Sequence, residues 1–147
     1  MIHPPRLDIR LRIDFGPKAS IGPGKVALLE RIDRVGSLSQ AARELGMSYR
    51  RAWLLLDDLN HSFTEPVALA SVGGVGGGGV LLTQFAKDLI AAYRDVERAA
   101  LEGTRARFKG LLKDAEPAKS LKSRLRRLLT RRLPKSRKPG PRSRPTH

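Results

Sequence analysis

The stretch from Gly36 to Trp53 constrains the fold more than any other. It reads Gly36-Ser37-Leu38-Ser39-Gln40-Ala41-Ala42-Arg43-Glu44-Leu45-Gly46-Met47-Ser48-Tyr49-Arg50-Arg51-Ala52-Trp53. Gly36 closes a preceding helix as a C-terminal glycine does. Ser37 opens the next, with Gln40 three residues later in capping-box spacing. That helix is short, about Leu38 to Leu45, and Ala41, Ala42 and Leu45 form its small inward face. Gly46-Met47 is a tight turn, and Ser48 caps a third helix running from Tyr49 to about Asn60. The small residues at Ala41 and Ala42 let the two helices cross closely.

The flanks supply the rest of a small core. Leu7, Ile9, Leu11 and Ile13 alternate with Asp8, Arg10, Arg12 and Asp14, the period of a strand with one buried face. Gly16-Pro17 and Gly22-Pro23-Gly24 break the chain after it. From Lys25 the period becomes helical, with Val26, Leu29, Ile32 and Val35 on one stripe. After Pro66, Val67 and Leu69 on one side and Val80-Leu81-Leu82 on the other flank Gly73-Gly74-Val75-Gly76-Gly77-Gly78-Gly79. This predicts two short strands with a glycine-dense hairpin tip. Thr83 caps a long fourth helix, Gln84 to about Glu102.

Charge divides the chain. It has 147 residues and a net charge of +15. Residues 1–102 hold 13 Lys and Arg against 12 Asp and Glu, whereas residues 103–147 hold 16 against 2. The basic end seeks a polyanion, nucleic acid before an anionic membrane. No apolar run reaches the roughly 18–20 residues of a membrane span, and charges interrupt Leu7 to Ile13 where a signal peptide would be apolar. There is no cysteine. The expectation is a soluble, cytoplasmic protein without integral membrane association. Residues 1–103 are read as one domain and 104–147 as a basic extension. Within it, leucines at helical spacing among arginines suggest an amphipathic helix at 119–133, and residues 134–147 have a disordered composition.

Three helices followed by a two-stranded hairpin describe a winged helix, and its middle has helix-turn-helix form. The third helix then presents Ser48, Tyr49, Arg50 and Arg51 at its N-terminal end. A first helical turn offers free backbone N–H groups and a partial positive charge, which suits phosphate. Arginine can grip guanine through two hydrogen bonds. Ser39 and Ser48 act first as capping-type residues and are also candidates for phosphate contact, and Arg43 is a candidate for the DNA backbone. Tyr49 is open between a DNA contact and packing at the turn; Trp53 is assigned to the core. In the wing, Gly74, Gly76 and Gly77 are candidates for backbone contact with DNA. Gly74, Gly76 and Gly79 match G-x-G-x-x-G, but a strand follows at once instead of a helix, so a flexible wing is the reading rather than a nucleotide site. Asp57 and Asp58 are read as solvated or salt-bridged, since adjacent helical residues do not face each other. His3, His61 and His147 share no metal spacing. No catalytic residue, cofactor or metal site is expected, and the chain is not read as an enzyme.

Residues 22–102 resemble the N-terminal DNA-binding domain of the molybdate-responsive (ModE-type) regulator family, itself related to LysR-type DNA-binding domains. The resemblance rests on Gly22-Pro23-Gly24, Gly36-Ser37-Leu38-Ser39-Gln40-Ala41-Ala42, Met47-Ser48-Tyr49-Arg50-Arg51-Ala52-Trp53, and the glycine run ending in Leu82-Thr83. It implies a sequence-specific homodimer, held largely by the strand before the first helix and the helix after the wing. Phe85, Leu89, Ala92, Val96 and Ala99 offer a short heptad seam for it; Ala86, Ile90, Tyr93 and Leu101 give a second apolar stripe. Full-length members follow the long helix with β-rich domains that bind molybdate. Here a basic, leucine-spaced and proline-rich segment of 45 residues without strand periodicity stands in that place, so direct molybdate binding is not expected.

The fold class expected is mainly α with small β (α+β): a winged helix-turn-helix with an N-terminal strand, a Gly-rich two-stranded wing and a long C-terminal dimerisation helix. The expected function is sequence-specific, dimeric transcriptional regulation through double-stranded DNA. The alternatives are a sequence-tolerant architectural nucleic-acid binder driven by the tail, and a protein-interaction module on a winged-helix scaffold.

Overall fold

A computed structural model of the chain describes residues 6–72, 78–111, 125, 126 and 128. Chain contacts divide it into Leu7–Arg107 and a second unit made of residues 1–6 with 108–147. In the second unit residues 125, 126 and 128 are helical. The expected amphipathic helix otherwise lies outside the described residues, as does the expected disorder of 134–147.

The first unit runs β1 (Ile13–Asp14), β2 (Ser20–Ile21), α1 (Pro23–Val35), α2 (Leu38–Glu44), α3 (Tyr49–Ser62), β3 (Ala68–Ser71), β4 (Gly79–Leu82), with α4 (Gln84–Phe108) running just beyond it. It is an α+β winged-helix arrangement: three helices, a β3–β4 hairpin, and a long closing helix. The hairpin is antiparallel, with Ala68 opposite Leu82 and Ser71 opposite Gly79.

Two expectations about the β structure change. The N-terminal strand pairs over only Ile13–Asp14, with β2, a strand the sequence reading did not assign. Upstream of that ladder Leu7, Ile9 and Leu11 still turn their side chains half inward while the polar residues between them are exposed. The carbonyl of Leu11 is taken by a side chain instead of a strand, accepting from the Tyr93 hydroxyl at 2.8 Å. Pairing cannot extend further because β2 runs at once into Gly22-Pro23, and proline brings no N–H.

The helices start and stop where their caps dictate, and α1 begins at Pro23, whose fixed φ suits a first turn. Ser37 Oγ accepts from the Gln40 amide at 3.3 Å, Ser48 Oγ from the Arg51 amide at 3.2 Å, and Thr83 Oγ1 from the Ala86 amide at 3.2 Å. The Gln40 side chain does not reach back to complete a capping box; it donates to Glu44 Oε1. The fourth helix overruns its expected end at Glu102 by more than a turn, because Gly103 lies inside the helix rather than terminating it.

The principal core joins Leu28, Leu29 and Ile32 of α1, Leu38, Ala41 and Ala42 of α2, Ala52, Leu56 and Leu59 of α3, then Val67, Ala68 and Ala86. A smaller cluster of Ile21, Val26 and Tyr93 seats α4 beside β2. Arg94 reinforces that seat: its Nε and Nη2 donate to the two carboxylate oxygens of Glu30 on α1, both at 2.8 Å. The Glu30 hydrogen bonds hold the Arg94 pKa above its ordinary value. Burial, followed by the nearby Glu97 charge, raises that of Tyr93.

The turn between α2 and α3 is a Schellman motif. The Met47 amide donates to the Ala42 carbonyl at 3.0 Å and the Gly46 amide to the Arg43 carbonyl at 3.2 Å, with Gly46 at φ +65°. A side chain at Gly46 meets no neighbour, so its cost is purely conformational. Gly46→Ala is therefore expected to destabilise the fold by about 1–2 kcal/mol, the penalty of the left-handed region. Gly24→Ala, in open space in the first turn of α1 and without positive φ, should be neutral or stabilising by about 0.4–1 kcal/mol. Thermal melts of the two variants check the contrast.

Candidate nucleic-acid interface

On α3, burial of Ala52, Leu56 and Leu59 fixes the core face. At about 100° per residue, Arg50 and Leu54 then lie opposite the core, while Tyr49, Trp53 and Asn60 lie on the flank toward the hairpin. Ser48, Tyr49, Arg50 and Arg51 are all exposed, as are Ser39 and Arg43 on α2. Arg43, Arg50 and Arg51 have no ion pair or side-chain hydrogen bond among the described residues. Gly74, Gly76 and Gly77 lie outside the described residues.

The acids nearby are engaged elsewhere. Glu44 Oε2 accepts from Arg31 and Arg34, both at 2.5 Å. Asp58 pairs with Lys25 of α1. Asp57 faces His61 one turn on, Oδ1 to Nδ1 3.4 Å. Of the expected solvated or salt-bridged roles, Asp58 takes the salt-bridged one with Lys25, and Asp57 lies beside His61, whose Nδ1 is 2.7 Å from the Asp57 backbone carbonyl. The first two turns of α3 are consequently cationic and apolar, and its acids begin only after them.

An open groove of about 870 Å³ runs between this helix and the hairpin. Its walls are the Val35–Gln40 junction, the Tyr49, Trp53 and Asn60 flank of α3, and Ala68–Ala70 with Gly78–Val80 of the hairpin. Two ties hold the hairpin at this distance. Asn60 Oδ1 accepts from the amides of Val67 and Ala68 at 2.8 and 3.1 Å, pinning the start of β3 to α3. The Val80 amide donates to the Gly36 carbonyl at 3.0 Å, fixing β4 against the α1–α2 turn. The reading of the sequence gave Asn60 no role beyond the end of the helix; its position seven residues before Val67, across Pro66, is the signal that could have found the first tie.

Trp53 is a correction. The sequence reading put it in the core, but the indole is about half exposed on the groove wall. The phase of Ala52, Leu56 and Leu59 was sufficient to place it on the flank. The expected seam on α4 is also divided: Phe85 and Leu89 pack against the core, with Phe85 edge-on to Phe63 at 5.3 Å, whereas Ala92, Val96 and Ala99 are exposed.

No family model matches the sequence. Individual proteins do. The chain is 47% identical over 79 residues to the molybdenum-pterin-binding protein MopB of Rhodobacter capsulatus, covering 54% of this chain and 29% of that protein. It is 34% identical over 88 residues to the molybdenum transport protein ModE of Azotobacter vinelandii, covering 60% and 33%. It is 34% identical over 86 residues to the DNA-binding transcriptional dual regulator ModE of Escherichia coli K12, covering 58% and 33%. The N-terminal part of this chain is homologous to the ModE-type regulators. The match spans about a third of the length of these relatives. The ModE-like part is the part whose winged-helix geometry is described above. None of these relatives is named as an enzyme, and no helix among the described residues is long and apolar enough to cross a membrane.

The ion pairs around α2 give a pH dependence. The hydrogen bond from Arg31 is the main influence that holds the Glu44 carboxyl below its ordinary value of 4.5; desolvation opposes it, and the hydrogen bonds from Arg34 and Gln40 with the Arg34 charge add to the lowering. A depressed carboxylate stabilises the fold above its unfolded pKa and loses that contribution as pH falls through the native value. Glu44→Gln should lower the melting temperature at neutral pH, and the difference from wild type should narrow as pH falls below the unfolded value of about 4.3. Melts across pH 3–7 check this.

Proposed function

We propose that this chain is a sequence-specific transcriptional regulator that binds duplex DNA, acting as a homodimer in the cytoplasm. The observation that carries the reading is the N-terminal end of α3, where Tyr49, Arg50 and Arg51 stand exposed with no acid among the described residues paired to the guanidiniums. Its first turn also brings backbone amides and the positive end of the helix dipole to the same place. In helix-turn-helix proteins this end of the second helix enters the major groove. Arg50, opposite the core, is placed to reach base edges. Arg51 and Ser48 on the same end of α3, and Arg43 and Ser39 on α2, are exposed and would serve as phosphate contacts. The groove beside α3 leaves room for a strand's backbone to pass between helix and hairpin. The name of the Escherichia coli relative as a DNA-binding transcriptional regulator supports the same reading.

Residues 1–103 would carry this recognition. The basic residues beyond would add affinity by releasing counterions, without regard to sequence. Dimerisation through α4 would use Ala92, Val96 and Ala99, since Phe85 and Leu89 are spent on the core.

Full-length protein selecting from random duplexes should enrich a defined motif. Arg50→Ala should weaken binding to that motif by about 5- to 150-fold, the range for one lost bidentate base contact, and hardly affect a scrambled duplex. Equal losses on both would contradict direct readout. Val96→Glu should shift the chain toward monomer in sedimentation velocity; an unchanged profile would contradict the α4 seam.

A further inference from the structure

Three large apolar side chains stand exposed within the first six residues of α3: Tyr49 at 56%, Trp53 at 48% and Leu54 at 49%. None joins either core cluster. Single exposed apolar residues are ordinary, but here Tyr49 and Trp53 share the groove flank one turn apart and Leu54 shares the outward face with Arg50, three within two turns of one helical end. The two turns that carry them also carry Arg50 and Arg51, unpaired among the described residues. Charge decides what fits. A surface that interleaves cationic and apolar side chains complements an anionic lattice enclosing small apolar points. The major groove offers this combination, because phosphates line its walls and each thymine projects a C5 methyl from its floor.

We infer that Trp53 and Leu54 read thymine methyl groups. This rests on the proposed binding of duplex DNA and specifies its sequence class. Leu54 shares the outward stripe with Arg50, four residues on. At about 1.5 Å per residue that is about 6 Å along the helix, or about two base steps of about 3.4 Å along a strand. The preferred site therefore places thymine within about two base pairs of the position contacted by Arg50. Trp53, on the groove side, addresses a thymine nearer the strand that passes between α3 and the hairpin. The acids Asp57 and Asp58 end the readable surface, which confines base contact to the first two turns.

The test uses the full chain and the duplex it selects from a random pool. Each thymine is replaced singly by deoxyuridine, which removes the methyl and keeps the base pair. Binding is followed by fluorescence anisotropy for wild type, Trp53→Ala and Leu54→Ala. One or two replacements should weaken wild-type binding about three- to five-fold, the effect of one buried methyl. The same replacement should then be nearly silent in the alanine variant that has lost its partner. Both residues are half exposed, so melting of the variants should stay close to wild type. If every deoxyuridine duplex binds the wild type equally while Arg50→Ala still loses affinity, the inference falls and DNA readout stands. A pool with no enriched motif overturns both. If the alanine variants keep full affinity but sediment differently, the patch is a contact between copies of this chain and the inference falls.

Discussion

The left-handed turn at Gly46 governs where everything else can go. Its φ of +65° and the two hydrogen bonds that close it end α2 and redirect the chain within two residues. Because Ala41, Ala42 and Ala52 are small and buried, α2 and α3 can cross closely over their shared core. That close crossing leaves the amino end of α3 projecting past α2 instead of packed beneath it. A longer turn, or larger residues at the crossing, would bring Ser48–Arg51 into the body of the domain. The exposure of the two arginines is thus a consequence of backbone geometry and of three alanines.

Electrostatics completes the same design. In a body whose charges nearly balance, the acids are not distributed at random around the cations. Glu44 serves Arg31 and Arg34, Asp58 serves Lys25, and Glu30 with Glu97 serves Arg94. These pairs are mostly solvated and contribute little stability individually. Their larger effect is on the local field: the acids are tied up against α1 and α4, and the amino end of α3 keeps its positive charge. The hairpin is seated by Val67 and Ala68 in the core and tied by polar bonds from Asn60 and the Gly36 carbonyl, which fix the groove between it and α3.

Much of this was legible in the sequence, for local reasons. Capping serines, glycines after helices and a switch from period two to period 3.6 are short-range signals, and α1 to α4 follow them to within a few residues at their starts. What escaped is non-local. The strand β2 has two residues and no pattern of its own; it exists because β1 folds back on it. Gly103 was expected beyond the last helix, yet propensity at one residue was outweighed by the helical run around it. Trp53 was assigned to the core by residue type, although the positions of its neighbours put it outside. Phe85 and Leu89 fit a heptad seam by spacing, but spacing does not say which stripe the domain itself covers. The candidate contacts Arg43, Arg50 and Arg51 follow from helix phase and were the easiest to place; the tie made by Asn60 depends on a chain reversal six residues later.

The most direct test is an amide-resolved NMR titration of the full chain with a duplex it selects. The account predicts that the largest shift changes fall on residues 48–54, with a second set on the groove walls at Gly36–Gln40 and Gly78–Val80. Changes confined to the basic residues beyond 103, with α3 unmoved, would contradict it.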